Sequence, residues 1–231
     1  MIPLKDDNPT RSFPFVTIAL IALNTGLFLW EVLLPPGVLQ AEVLPGLAVI
    51  PVRLTGLDPL DPLAWADGGT RLLAAMFLHG GVMHLLGNMV YLWIFGNNIE
   101  DSMGHGRFLL FYLLCGLAAS FAQVAASPRS PVPMIGASGA ISGVLGAYLI
   151  LFPAARVLTL IFVLFFVRVV PFPAVIVLGV WFLMQVINAG SYMPGQIAPG
   201  GVAWHAHIGG FVAGMALIAP FRRKRPRYAL F

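Results

Sequence analysis

Long apolar runs recur along this sequence, at residues 13–34, 82–98, 108–126, 138–152, 174–188 and 204–221. A backbone inside hydrocarbon must satisfy its own N–H and C=O groups, and for separate runs of this length the α-helix does so. Composition excludes the water-soluble alternative. Hydrophobic residues make up 59% of the chain and charged residues 10%, with a mean hydropathy of +0.90, whereas an average soluble domain carries about 25% charged residues. The pattern predicts an all-α, polytopic membrane bundle of six transmembrane helices. No polar linker divides the sequence, so residues 1–231 read as one membrane domain.

The formal net charge of +4 does not point to nucleic acid. Its excess lies in one tail, Arg222-Arg223-Lys224-Arg225-Pro226-Arg227, directly after an apolar run, as the positive-inside rule expects of a cytoplasmic end. An even number of spans then puts both termini in the cytoplasm. Lys5, Arg11, Arg107 and Arg156 agree with that orientation, and Arg53, Arg71 and Arg129 depart from it. Run 13–34 is longer than a signal-peptide core of about 7–15 residues and reads as a retained first span. Cys115 is the single cysteine; it sits mid-run and reads as a small buried hydrophobe.

The connections differ in kind. Residues 37–70 hold Pro45, Pro51, Pro59 and Pro62 but also many large apolar side chains, and read as a loop lying partly in the membrane interface. Residues 153–173 are apolar yet carry Arg156, Arg168 and Pro171. That content fits an interfacial connection better than a span. Residues 190–201 are rich in Gly and Pro and read as a flexible outer loop. Run 138–152 would be a helix of roughly 22 Å at about 1.5 Å per residue, short of a core about 30 Å thick. A short helix beginning below one face leaves room for a cavity above it.

Polar side chains in such runs are costly and mark function. Ser138 stands in Gly136-Ala137-Ser138-Gly139-Ala140, only a partial match to a nucleophile elbow, since position 140 is Ala and no strand precedes it. A glycine-rich helix start is the plain alternative. At a helix N-terminus, free amides would stabilise an oxyanion formed on the serine's substrate. His207, in Ala206-His207-Ile208-Gly209-Gly210, shares a helix face with Gly210 and Gly214. The 138–152 run has a matching stripe of Gly139, Gly143 and Gly146. Two glycine-lined helices can approach closely enough to bring Ser138 and His207 into hydrogen-bond reach. A third, carboxylate partner is not available from this half of the chain, because no Asp or Glu follows Asp101.

His84 and Asn88 lie four apart on one face, and both can donate hydrogen bonds. With the Ser138 N–H they make a candidate oxyanion hole; polar contacts between helices are the alternative. His79 is about 140° round a helix from His84, which does not suit a shared metal, and reads as a hydrogen bonder that fixes a loop. No His-Glu-x-x-His run is present. His105 has no visible partner and reads as solvated. Neither a cofactor nor a metal is expected.

Taken in order, His79-x-x-x-x-His84-x-x-x-Asn88, Gly136-x-Ser138-Gly139 and Ala206-His207-Ile208-Gly209-Gly210 resemble the motifs of the rhomboid family of intramembrane serine proteases. The resemblance runs from the first span to the last. It implies Ser138 as nucleophile, His207 as general base, and His84, Asn88 and the Ser138 N–H as oxyanion stabilisers. Gly136, His79, Gly139 and Gly210 would be supporting residues. It further implies a gate made by the fifth span and the 190–201 loop, and the minimal six-span form found in bacteria, in the inner membrane. One departure is Thr70-Arg71, where many members carry Trp-Arg before the second span. The expected activity is endopeptidase cleavage of membrane-spanning substrates in the lipid bilayer. A relative that binds transmembrane helices without cutting them should lack Ser138 or His207. A transporter should show intramembrane carboxylates or inverted repeats.

Overall fold

A computed structural model describes residues 1–58, 60–163, 166–191 and 202–223. Most of the 190–201 loop and the end of the basic tail therefore lie outside the described residues. Strand β1 (Ile2–Asp6) precedes helix α1 (Phe15–Leu33). Three short helices follow, α2 (Leu44–Leu47), α3 (Pro51–Thr55) and α4 (Pro62–Ala74), and then the long α5 (Val82–Met103), α6 (His105–Ala126) and the shorter α7 (Ser138–Leu151). Strands β2 (Arg156–Val163) and β3 (Phe166–Pro173) lead to α8 (Ala174–Ser191) and α9 (Trp204–Phe221).

The chain is a multi-pass membrane protein with a helical bundle. Helices α1, α6, α8 and α9 are each long and apolar enough to cross a membrane; α4 and α5 meet that test only as a pair bent by 85°, and α7 is shorter. Among the described residues, length and composition thus admit four spans, or five with the bent pair, against the six expected.

Helix α1 ends just before Pro35, because proline disfavours helical backbone in the residue it follows. Its buried residues, Thr17, Leu20, Asn24, Phe28 and Glu31, recur every three or four positions and form one inward face. The first amides of a helix have no intrahelical acceptor and carry partial positive charge. Here Glu100 of α5 supplies it, accepting from the Val16 and Thr17 amides at 2.9 and 2.8 Å and from the Thr17 hydroxyl at 2.7 Å. Asp101 accepts from the Ser12 amide at 2.9 Å. The last two acids of the sequence are therefore the clamp between α1 and α5. Glu100 also meets His105 Nδ1 at 2.5 Å, across the turn at Gly104 (φ 85°). His105 is paired rather than simply solvated, because the chain reverses at that glycine.

Helices α6, α7 and α9 form the tightest part of the bundle. A β-carbon at Gly210 would collide with the Gly139 carbonyl oxygen, one at Gly214 with the Gly143 oxygen, and one at Gly146 with the Phe211 oxygen. The two glycine stripes thus face each other, backbone against backbone. Cys115 is fully buried on α6, against Gly143. Phe95, Phe108, Phe111, Tyr112 and Tyr148 fill the centre of the core.

The 153–173 connection is a β-hairpin, and β1 adds to it as a third antiparallel strand in the order β1-β2-β3. This sheet was not expected beside the helical bundle. Residues 156–173 are apolar on both faces, so the alternation that marks a strand is hidden, although Val, Ile, Thr and Phe dominate them. The sheet is moored to the bundle through Asp6, whose carboxylate accepts from Asn98 Nδ2 at 2.8 Å and from the Tyr148 hydroxyl at 2.6 Å. Burial raises the Asp6 pKa above its ordinary value, and the Tyr148 bond opposes that rise.

Arg53 of α3 and Arg71 of α4 both donate to the Pro45 carbonyl across the region that follows α1, and Arg71 pairs with Asp67 at 2.6 Å. Arg71 fixes this region from within, with Thr70 exposed beside it.

Candidate active site

The segment before α7 is pinned from two sides. Val49 and Met134 exchange backbone hydrogen bonds, and the Gly136 amide donates to the Ala75 carbonyl at 2.8 Å. Gly136 has φ 119°, a conformation that L side chains rarely adopt. A β-carbon there would also lie 2.8 Å from the His84 ring. The sequence therefore needs glycine at this position, both for the turn and for the approach of His84. Ser138 follows as the first residue of α7, where the leading amides have no intrahelical acceptor.

Helix α9 carries His207 one turn from its start, and the glycine contact between α7 and α9 sets the separation. His207 Nε2 lies 2.8 Å from Ser138 Oγ. The two side chains singled out in the sequence are thus in hydrogen-bond contact. On the far side of the ring, His207 Nδ1 lies 2.8 Å from Gln185 Oε1 of α8. Trp181, one turn earlier on α8, covers the ring face with centroids 5.9 Å apart and planes at 34°.

A cavity of about 500 Å³ opens over this contact, lined among others by His84, Asn88, Ser138, Trp181 and His207. Asn88 is buried, and its Nδ2 has no hydrogen-bond partner among the described residues. The His84 ring accepts weakly from the Gly80 amide through Nδ1 at 3.4 Å. Its other nitrogen lies on the side of the ring nearest Gly136. Two side-chain donors from α5 and the free amides of α7 thus border one space beside the Ser138 hydroxyl. That arrangement suits a developing negative charge on a substrate oxygen.

His79 is buried outside this cavity. Its amide donates to both Glu31 carboxylate oxygens at 3.2 Å, and its ring stands 3.3 Å from the Phe77 carbonyl, so it ties the turn before α5 to α1. Its ring packs edge-on to His84 at 5.2 Å, closer than helical spacing indicated, because residues 78–81 are not helical. Gly139 and Gly210 meet at the α7–α9 contact. The fifth-helix part of the expected gate is α8; of its loop part, 190–201, residues 192–201 lie outside the described residues.

Gln185 belongs to the contact with His207, and none of the three sequence motifs contains it. The rule that marked Ser138 and His207, a polar side chain inside an apolar run, applies equally to it. No spacing argument linked it to His207, because the contact joins two different helices.

A family model described as "Rhomboid domain" matches residues 67–224. Rhomboid protease GluP of Bacillus subtilis (strain 168) is 48% identical over 79 residues, covering 34% of this chain and 15% of that protein. RHOMBOID-like protein 4 of Arabidopsis thaliana is 35% identical over 162 residues, 70% of this chain and 36% of that protein. Putative rhomboid protease YdcA of Bacillus subtilis (strain 168) is 38% identical over 79 residues, 34% of this chain and 39% of that protein. The matches therefore span well under half the length of each of these curated relatives.

Proposed function

Because the chain belongs to the rhomboid family, we propose that it is an intramembrane serine endopeptidase that cuts membrane-spanning proteins with a Ser138–His207 pair. The observation that carries this reading is the 2.8 Å contact between His207 Nε2 and Ser138 Oγ under the cavity. Two of the similar bacterial proteins are named as proteases, one of them as putative.

In the proposed reaction His207 Nε2 takes the Ser138 proton as Oγ attacks the scissile carbonyl carbon. The carbonyl oxygen becomes an oxyanion facing Asn88 Nδ2, His84 and the α7 amides. A donor without a partner needs no reorganisation at that moment, which makes Asn88 effective there. The imidazolium then returns its proton to the leaving amine. Water, activated by His207 in turn, hydrolyses the acyl-enzyme and regenerates Ser138. A helical substrate must unwind locally before this sequence, because its carbonyls are held in its own hydrogen bonds.

The proposed topology has six spans, α1, α5, α6, α7, α8 and α9, with both termini cytoplasmic, in a bacterial inner membrane. α7 completes the count although it is short, because it is enclosed by protein rather than by lipid: Gly139 to Tyr148 are all buried. The test is cleavage of a single-span substrate by purified protein in detergent. Wild type should cut, and Ser138→Ala and His207→Ala should not. A fluorophosphonate should label Ser138. Equal cleavage by all three proteins would overturn the assignment.

A further inference from the structure

Among the described residues no carboxylate contacts His207, yet an imidazole acting as a base must present the correct nitrogen to its serine. We propose that Gln185 is the positioning residue that fixes His207 in the tautomer with Nδ1 protonated, so that the working unit is Ser138–His207–Gln185. The inference rests on the protease reading above.

The hydrogen-bond chain determines its own polarity. Gln185 Nε2 lies 2.9 Å from the Trp181 carbonyl oxygen. An acceptor there requires the donor end of the amide, so Nε2 must face Trp181 and Oε1 must face His207. The reverse assignment would set two oxygens against each other. Oε1 only accepts, so His207 Nδ1 must carry the hydrogen across their 2.8 Å contact. A neutral imidazole has one N–H, which leaves Nε2 with its lone pair toward Ser138 Oγ, the arrangement a general base needs. The backbone carbonyl of Trp181 thereby sets the state of the serine hydroxyl through an amide and an imidazole.

Gln185 is buried, so water does not compete for this bond. An amide in the third position is an established solution on unrelated folds that pair Cys and His. Trp181 and Gln185 are both on α8, one turn apart, so the acceptor and the aromatic wall come from the same helix. Displacing α8 from α9 would free the ring to rotate and let the wrong tautomer form. The base is armed only while α8 is seated.

Among the described residues, the other titratable side chains lining the cavity are His84 and Tyr91, both on α5. Among the described residues, α7 and α8 contribute only neutral side chains there: Ser138, Ile141, Ser142 and Leu145 from α7, and Trp181 with Gln185 from α8. A carboxylate introduced at 185 would therefore act on His207 with no competing acid beside it.

The experiment measures kcat and KM of the purified full chain in detergent, across pH, on one single-span substrate. Gln185→Leu, similar in size but without an acceptor, should lower kcat about tenfold or more at unchanged KM. Gln185→Glu keeps the acceptor. It should recover most of that loss and move the acid limb of the rate profile to higher pH, because a carboxylate favours the imidazolium. Should the leucine variant fail to fold, Gln185→Asn keeps the amide but withdraws it by one methylene, and should show the same kcat loss. Wild-type kcat in Gln185→Leu or Gln185→Asn would overturn the inference. Equal losses in the Leu and Glu variants with an unmoved profile would overturn it too, since purely structural damage predicts that result. In both cases an active wild type leaves the protease assignment standing. An inactive wild type with Ser138 unlabelled removes that assignment and this inference with it.

Discussion

Replacing Gly210 by alanine tests whether the α7–α9 backbone contact sets the geometry of the site. The added β-carbon would stand 3.0 Å from the Gly139 carbonyl carbon and 3.3 Å from Ser142 Cβ, and would overlap the Gly139 oxygen. Comfortable carbon contacts are about 3.5–4.0 Å. Neither obstacle is the free end of a flexible side chain, so the helices themselves must part, by roughly 1 Å on these distances. Ser138 lies one residue before Gly139, and His207 one turn before Gly210. The same parting takes the His207–Ser138 contact from 2.8 Å toward a separation at which no hydrogen bond remains. Two losses should follow. Overpacking a close-packed contact costs about 1–3 kcal/mol of stability, and a misplacement of about 1 Å at reacting groups costs about 10²-fold in rate. The control is Gly26→Ala on α1, where nothing lies within 4 Å of the new carbon. There alanine should be neutral or stabilising by up to about 1 kcal/mol. Thermal unfolding in detergent and cleavage of a single-span reporter read the two effects. If Gly210→Ala unfolds and cleaves like Gly26→Ala, the close contact does not set the geometry of the site.

Asn88→Ala should lower kcat by about 10²–10³-fold with little change in unfolding temperature, because its amide nitrogen has no partner among the described residues; a large stability loss would instead make Asn88 a structural bond. Glu100→Ala should destabilise by about 2–4 kcal/mol, since it strands the buried Thr17 amide and the half-buried Val16 amide at the start of α1; an unchanged unfolding midpoint would refute the clamp. Asp6 has a folded pKa above its ordinary 3.8, chiefly through burial. The stability linked to its protonation is present in full below that ordinary value and is lost as pH rises through the folded value. Asp6→Asn should therefore flatten stability against pH in that window, and wild type and variant with parallel pH slopes would contradict it.

The helical bundle was legible because hydrocarbon imposes its own arithmetic on sequence. The limits read at 13–34, 108–126 and 204–221 differ from α1, α6 and α9 by a few residues at most. The proline and glycine breaks that end the runs act locally, on φ and on backbone hydrogen bonds. The glycine stripes of α7 and α9 were legible for a related reason: close approach of two backbones requires the absence of side chains, and that absence is written at fixed spacing. So the sequence alone determined a membrane bundle, the two helices that touch most closely, and the serine and histidine worth bringing together.

What only tertiary structure decided were relations between segments that share no local pattern. Glu100 as the cap of α1, Asp6 as the mooring of the β-sheet and Gln185 as the partner of His207 each join residues on different elements, 22 to 142 positions apart. The β-hairpin escaped for a different reason. Its strands carry large apolar residues on both faces, and periodicity carries little information where the two faces are alike. Propensity and spacing act within a segment, whereas the meeting of two polar atoms from distant segments depends on how whole helices pack. That packing is set by the summed shape of many side chains, and no single stretch of the chain encodes it.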